Sequence, residues 1–191
     1  MQRYLRGLLA ITSLVGVAAL PACSNPGAGL PPVASADSST YRLGAGDQVR
    51  IITFSDEQLT GEFRVNDSGT IALPLLGSVK AAGLTTGQLE GEVAQALRQR
   101  NLYKDPSVAV EVIAYRPVFI LGEVSRPGQY PYQPGMTVVT AVAVAGGFTY
   151  RAVEDQASIV RTTNGKALEG RAVRETFVRP GDVITVFERT F

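Results

Sequence analysis

The sequence predicts an α+β protein of two small modules behind a cleaved export leader. Three observations carry this. From Tyr41 onward, short β-type runs alternate with glycine turns. Each half holds one apolar stretch that a threonine is placed to cap as a helix. The same Gly-Asp turn also introduces a strand twice, at Gly46-Asp47 and at Gly181-Asp182.

The leader comes first. Arg3 and Arg6 form a basic start, residues 7–20 carry no charge, and Leu20-Pro21-Ala22-Cys23 ends the segment. Basic start, apolar stretch and small residues are the marks of a secretory signal peptide. With the cysteine just after the cut, the segment resembles the lipobox of bacterial lipoproteins, whose thiol receives a diacylglyceryl group. Pro21 departs from that pattern, which more often has a small non-proline residue there. A transmembrane anchor needs about 20 apolar residues. This run is shorter and includes Gly7, Thr12, Ser13 and Gly16. Residues 1–22 are therefore expected to be a lipoprotein signal peptide and Cys23 the lipidation site. Ser24 stands where an aspartate would argue for inner-membrane retention, so the expected location is the outer membrane, periplasmic side, held by lipid. Several acyl chains, at about 0.8 kcal/mol per buried CH₂, would make that anchoring stable.

Residues 23–40 are expected to be a lipidated flexible tether, because 24–40 are rich in Ser, Pro, Gly and Ala with almost no charge. The whole chain has 18 basic and 17 acidic residues, so no net field points to nucleic acid as a partner. Cys23 is the sole cysteine, and histidine and tryptophan are absent. The commonest general base and metal ligand is therefore missing. No catalytic, cofactor or metal residues are predicted, and an enzyme is disfavoured.

The first module is read as 41–115. Val49, Ile51, Ile52 and Phe54 suggest a strand after Gly46-Asp47. Asn66-Asp67-Ser68-Gly69 is a turn cluster, and Thr70-Ile71-Ala72-Leu73 follows, which predicts a hairpin. Pro74 confines that strand to an edge or an end. Gly77-Ser78-Val79 can pair briefly before the Ala82-Gly83 turn. Thr85 and Gln88 match a capping box, and Leu89, Val93, Ala96 and Leu97 recur at helical spacing. Asp105-Pro106 is expected to stop this helix. Val108, Val110 and Val112 then alternate as the inward face of a strand.

The second module is read as 116–191, after the boundary at Arg116-Pro117. Residues 118–121 form a strand, with turns at Arg126-Pro127-Gly128 and Pro134-Gly135. Thr137 can cap the apolar run 138–145, which Gly146-Gly147 ends as a helix C-terminus. Its β-branched content also permits a strand. Being apolar on every side, the run should be buried either way. Residues 158–161 and 183–186 supply strands around a Thr163-Asn164-Gly165 turn.

Gly46-Asp47-Gln48-Val49 echoes Gly181-Asp182-Val183-Ile184. In each, glycine supplies positive φ and aspartate bonds nearby amides before a strand. Asp47 and Asp182 could also be read as a catalytic pair, but nothing else in the sequence joins them. Gly44-Ala45-Gly46 precedes a strand instead of opening a helix, which argues against a nucleotide loop.

Taken in order, the residues resemble a known family. Tyr41-Arg42-Leu43-Gly44-Ala45-Gly46-Asp47, Gly69-Thr70-Ile71-Ala72-Leu73-Pro74-Leu75-Leu76-Gly77 and Ala82-Gly83-Leu84-Thr85 resemble a periplasmic polysaccharide export domain, with Leu102-Tyr103-Lys104-Asp105-Pro106-Ser107-Val108 as its end. Gly122-Glu123-Val124, Pro127-Gly128-Gln129-Tyr130, Ala145-Gly146-Gly147 and Arg179-Pro180-Gly181-Asp182-Val183-Ile184 resemble an SLBB domain of β-grasp fold. The whole is similar to the Wza-like outer-membrane polysaccharide export family. Phe187 stands where that family often has a proline. The sequence closes soon after one SLBB-like module, so it resembles the short class that lacks a C-terminal membrane-spanning helix.

The resemblance implies a homo-oligomeric ring enclosing a periplasmic conduit for capsular or extracellular polysaccharide. It implies an inner-membrane polysaccharide co-polymerase as partner, and for the short class a separate outer-membrane β-barrel. Candidates for polar lumen surface are Arg50, Arg64, Lys80, Arg98, Arg100, Arg116 and Arg126, against an ordinary solvated role for each. The main rival is a lipid-anchored β-grasp module that binds a soluble glycan or peptidoglycan without forming a conduit. An enzyme using Glu123 with Asp155 or Glu154 as acid and base is a further rival.

Overall fold

The computed structural model describes residues 26–33, 41–54, 56–163 and 165–189. The expected signal peptide, Cys23 and the turn residue Asn164 lie outside the described residues. The fold is α+β, with two modules, few helices and many strands. In the first, β1 (Gln48–Thr53) lies between β2 (Asp56–Arg64) and β5 (Val108–Ala114) in an antiparallel sheet. β3 (Thr70–Leu73) and β4 (Gly77–Lys80) form a separate hairpin, and α1 (Thr86–Gln99) precedes β5.

The second module has one five-stranded sheet in the order β7-β6-β10-β8-β9. Its strands are β6 (Val118–Gly122), β7 (Gly128–Tyr130), β8 (Ala152–Thr163), β9 (Lys166–Val173) and β10 (Val183–Glu188). β6 and β10 run parallel, while the other pairs are antiparallel. The short helix α2 (Val138–Val144) contributes to the core of this module. Among the described residues no helix is long and apolar enough to cross a membrane, which says nothing of β-barrel spans.

Period-2 and period-3.6 patterning builds one apolar cluster in each module. Val49 and Ile51 of β1 are fully buried and join Ile71, Leu73, Leu89, Val93 and Leu97. In the second module Val118, Ile120, Ile159, Ile184 and Val186 join Val138, Ala141 and Val142 of α2. The Thr85 capping box forms as expected. Gln88 N donates to Thr85 Oγ1 at 3.2 Å, and Thr85 N donates to Gln88 Oε1 at 3.0 Å. For residues 138–144 the structure selects helix, because Thr137 and Thr140 form a second reciprocal cap.

Several expectations are corrected. The Asn66–Gly69 turn closes, with Gly69 N donating to Asn66 O at 2.9 Å, but it does not join a hairpin. Its flanks belong to different sheets. Gly46 N to Val65 O (2.8 Å) and Val65 N to Asp47 O (2.9 Å) keep the preceding chain on β1 up to the turn. Ile52 and Phe54 face outward, so the inward set of β1 is Val49, Ile51 and Thr53. α1 ends at Gln99, before Asp105-Pro106, where Asn101 adopts φ 56°. α2 is not buried all round: Val144 is 40% exposed, because one face of a seven-residue helix suffices for this core.

The tether expectation also changes. Residues 26–33 lie along the second module. Val33 N donates to Arg171 O (2.8 Å), Arg171 N to Pro31 O (2.7 Å), and Gln156 Nε2 to Pro26 O (2.8 Å). They cover the open edge of β9, and Gly170 leaves the space that Val33 fills.

Candidate functional site

The two Gly-Asp turns organise the junction between modules. Gly46 (φ 96°) and Gly181 (φ 86°) each sit just before an aspartate at the base of a strand. In the first turn Asp47 N donates to Gly44 O at 3.1 Å, and Gly44 N donates to Asp47 Oδ2 at 2.7 Å. In the second, Asp182 N donates to Arg179 O at 3.0 Å and Arg179 N to Asp182 Oδ2 at 2.8 Å. The hydrogen-bond pattern repeats, so the echo is structural punctuation.

Both carboxylates are almost wholly buried, and each is held by cations and donors. Asp47 accepts the Tyr41 hydroxyl and, at 2.9 Å, the backbone N–H of Arg116. The Arg116 Nε lies 3.5 Å from Asp47 Oδ1, long for a hydrogen bond, and is buried with no hydrogen-bond acceptor. Arg161 donates to Asp182 from Nε, to Oδ1 at 3.0 Å and Oδ2 at 3.3 Å, and from Nη2 to Oδ2 at 2.7 Å. Arg161 Nη2 also donates to Phe177 O at 3.1 Å. These bonds engage both acids structurally, so the geometry gives no support to Asp47 and Asp182 as an acid–base pair.

Above these turns a cleft of about 770 Å³ opens between the modules. Tyr41, Arg42 and Gly83 line it from the first module, and Tyr132, Arg161, Arg179 and Asp182 from the second, with Arg116 between. Tyr41, Tyr115 and Tyr132 form an edge-to-face ladder across the junction, with ring centroids 5.0 and 5.4 Å apart. Burial, then the Asp47 hydrogen bond, pushes the Tyr41 phenol above its ordinary pKa. Burial likewise raises Tyr132. Arg179 is pulled below its ordinary value by partial burial and then by the neighbouring Arg161 cation, with Asp182 opposing. Arg42 is aimed by Nη1 bonds to Gly83 O (2.8 Å) and Gln88 Oε1 (3.3 Å). The result is a cationic, aromatic cleft.

Of the seven cations singled out in the sequence, only Arg116 lines this cleft. Arg50 pairs with Glu62 across β1 and β2 at 2.9 Å. Arg100 ties the end of α1 to the β3–β4 loop through Leu75 O (2.7 Å) and Leu76 O (2.9 Å). Arg64 belongs to β2, Lys80 to β4, Arg98 to α1 and Arg126 to a turn. Sequence reasoning did not assign Arg42, Arg161, Arg179 or Tyr132 to a site. A signal existed for Arg42 and Arg179, which sit five and three residues before the echoed aspartates. Glu123 accepts the Thr149 hydroxyl at 2.5 Å, while Glu154 faces Arg189 (3.7 Å) and Arg174 (3.9 Å). Asp155 is exposed on β8.

Comparison with known proteins fits this two-module build. Residues 35–113 match the polysaccharide biosynthesis/export protein family, and residues 117–172 match the SLBB domain. The exopolysaccharide production protein ExoF of Rhizobium meliloti (strain 1021) is 34% identical over 148 residues, covering 72% of this chain and 34% of ExoF. The EPS I polysaccharide export outer membrane protein EpsA of Ralstonia nicotianae is 29% identical over 189 residues, covering 81% of this chain and 49% of EpsA. The polysialic acid transport protein KpsD of Escherichia coli is 28% identical over 110 residues, covering 56% of this chain and 19% of KpsD. The chain thus spans about a third of ExoF and about half of EpsA. The chain therefore carries a polysaccharide biosynthesis/export protein domain followed by an SLBB domain, and is homologous over that stretch to ExoF, EpsA and KpsD.

Proposed function

We propose that this protein is a lipid-anchored component of polysaccharide export, on the periplasmic side of the outer membrane. The observation that carries the reading is the export domain joined directly to an SLBB domain, with a cationic, aromatic cleft at their junction. In this reading, copies close into a ring around a conduit for capsular or extracellular polysaccharide, the ring being the form in which head-to-tail contacts terminate. An inner-membrane co-polymerase supplies the polymer, and a separate outer-membrane β-barrel completes the path. The mechanism is passage of a hydrated chain along polar walls, without bond cleavage.

The docked segment 26–33 supports a definite orientation. Pro26 lies three positions after Cys23, and its carbonyl is bonded to Gln156 of the second module. That gives a reach of about 10 Å at full extension. A lipid on Cys23 therefore holds the second module close to the membrane, with the first module joined to it through Arg116. One observation favours a second reading: the cleft is complete within a single chain, as a monomeric glycan-binding module requires. Sedimentation of the detergent-extracted, lipidated protein separates the two. A closed oligomer is expected for a conduit, and a monomer that still binds glycan would replace it with the binding module.

A further inference from the structure

We propose that the junction cleft is a binding site for a carboxylated sugar unit, of the uronic acid class, in the transported polymer. The inference rests on the export reading and deepens it by naming the substrate's chemistry. Arg42, Arg116, Arg161 and Arg179 line the cleft, and among the described residues Asp182 is the only carboxylate lining it. Asp182 is already engaged by Arg161 and by the Arg179 amide. Asp47, beneath Arg116, is likewise engaged by Tyr41 and the Arg116 amide. Four guanidinium groups thus face two carboxylates, and both acids have their acceptor capacity largely used. An excess of positive charge remains in a partly dehydrated recess.

A further observation points to an anion. Arg179 is destabilised as a cation by partial burial and by Arg161, so a bound carboxylate relieves that cost. The aromatic groups then favour a sugar over a bare ion. Tyr41 and Tyr132 present ring surface beside the guanidinium groups, and a pyranose has an apolar face to lay against it. Thr162 and Thr163, both exposed at the cleft, add polar groups for ring hydroxyls. The volume, about 770 Å³, falls within the range of small-molecule sites. Such a site must bind weakly enough to release each unit as the polymer moves.

The test is calorimetric titration of the full-length lipidated protein in detergent with oligogalacturonates, at low and at physiological salt. Carboxyl-reduced oligomers of the same length and inorganic phosphate serve as comparison probes. Binding of the acidic oligomer is expected to be salt-dependent, with the reduced oligomer at least about tenfold weaker. Arg179→Ala and Arg42→Ala should each weaken the acidic oligomer by about tenfold and flatten its salt dependence. Arg50→Ala, whose guanidinium pairs with Glu62 outside the cleft, should leave it unchanged. Equal binding of acidic and reduced oligomers overturns the inference, as does phosphate binding as tightly as the oligomer. Undiminished binding in both cleft variants overturns it as well. Circular dichroism melting of each variant shows whether a loss reflects unfolding, and Arg179→Lys, which keeps the charge, should recover part of the affinity. If acidic binding fails while deleting the chain still abolishes polymer secretion, the sugar class is wrong and the export reading stands.

Discussion

At the scale of the residue, buried charge decides which substitutions matter. Asp182 and Arg161 are 1% and 8% exposed and bonded at 2.7 Å. Asp182→Asn leaves the Arg161 cation buried with a neutral partner, and should cost about 3–5 kcal/mol. Urea denaturation measures this, and a loss below about 1 kcal/mol would contradict the assigned role. Tyr41 gives a pH signature. The unfolded phenol titrates near 10, whereas the folded one keeps its proton beyond that, because of burial and Asp47. From about pH 10 upward the unfolded chain releases a proton that the folded chain retains, so stability falls as pH rises. Tyr41→Phe should flatten that alkaline slope in melts between pH 9 and 11. Much at this scale was legible: the Gly-Asp echo announced both turns from local chemistry. Arg161 was not, because its partner Asp182 lies across the sheet, and no local spacing encodes that pairing.

At the scale of the element, the legible parts are those whose cause is local. The Thr85 cap and the Leu89, Val93, Leu97 stripe named α1 and its buried face. Thr85→Ala should destabilise by about 1 kcal/mol in the same denaturation assay. β2 was not legible. It is an edge strand of mostly polar residues, and of its described side chains Leu59 alone is buried. Its place is fixed by pairing with β1, which is tertiary information. α2 was ambiguous from its composition, and the Thr137–Thr140 cap resolved it. The docked segment 26–33 was hidden because Pro- and Gly-rich composition reads as linker whether or not an edge strand captures it. Gly170→Val places side-chain atoms where Val33 and Pro31 O now lie. It should release the segment, seen as faster amide exchange at Arg171 and Val33 with the core of the second module still protected.

At the scale of the whole molecule, the sequence revealed two modules because each closes its own apolar cluster, from Leu43 to Val110 and from Val118 to Val186. The cleft between them was largely illegible. Its cations come from residues separated by more than a hundred positions, and only Arg116 had been singled out. The function proposed above has this chain move polysaccharide out of the periplasm while held by lipid at Cys23. The most direct test quantifies secreted and periplasmic polymer separately in a strain lacking the chain. The account predicts loss of secreted polymer, restored by the wild-type chain and not by a Cys23→Ala variant. Unchanged secretion in a strain with no second exporter of this family would contradict it, and would leave the monomeric glycan-binding module as the better reading.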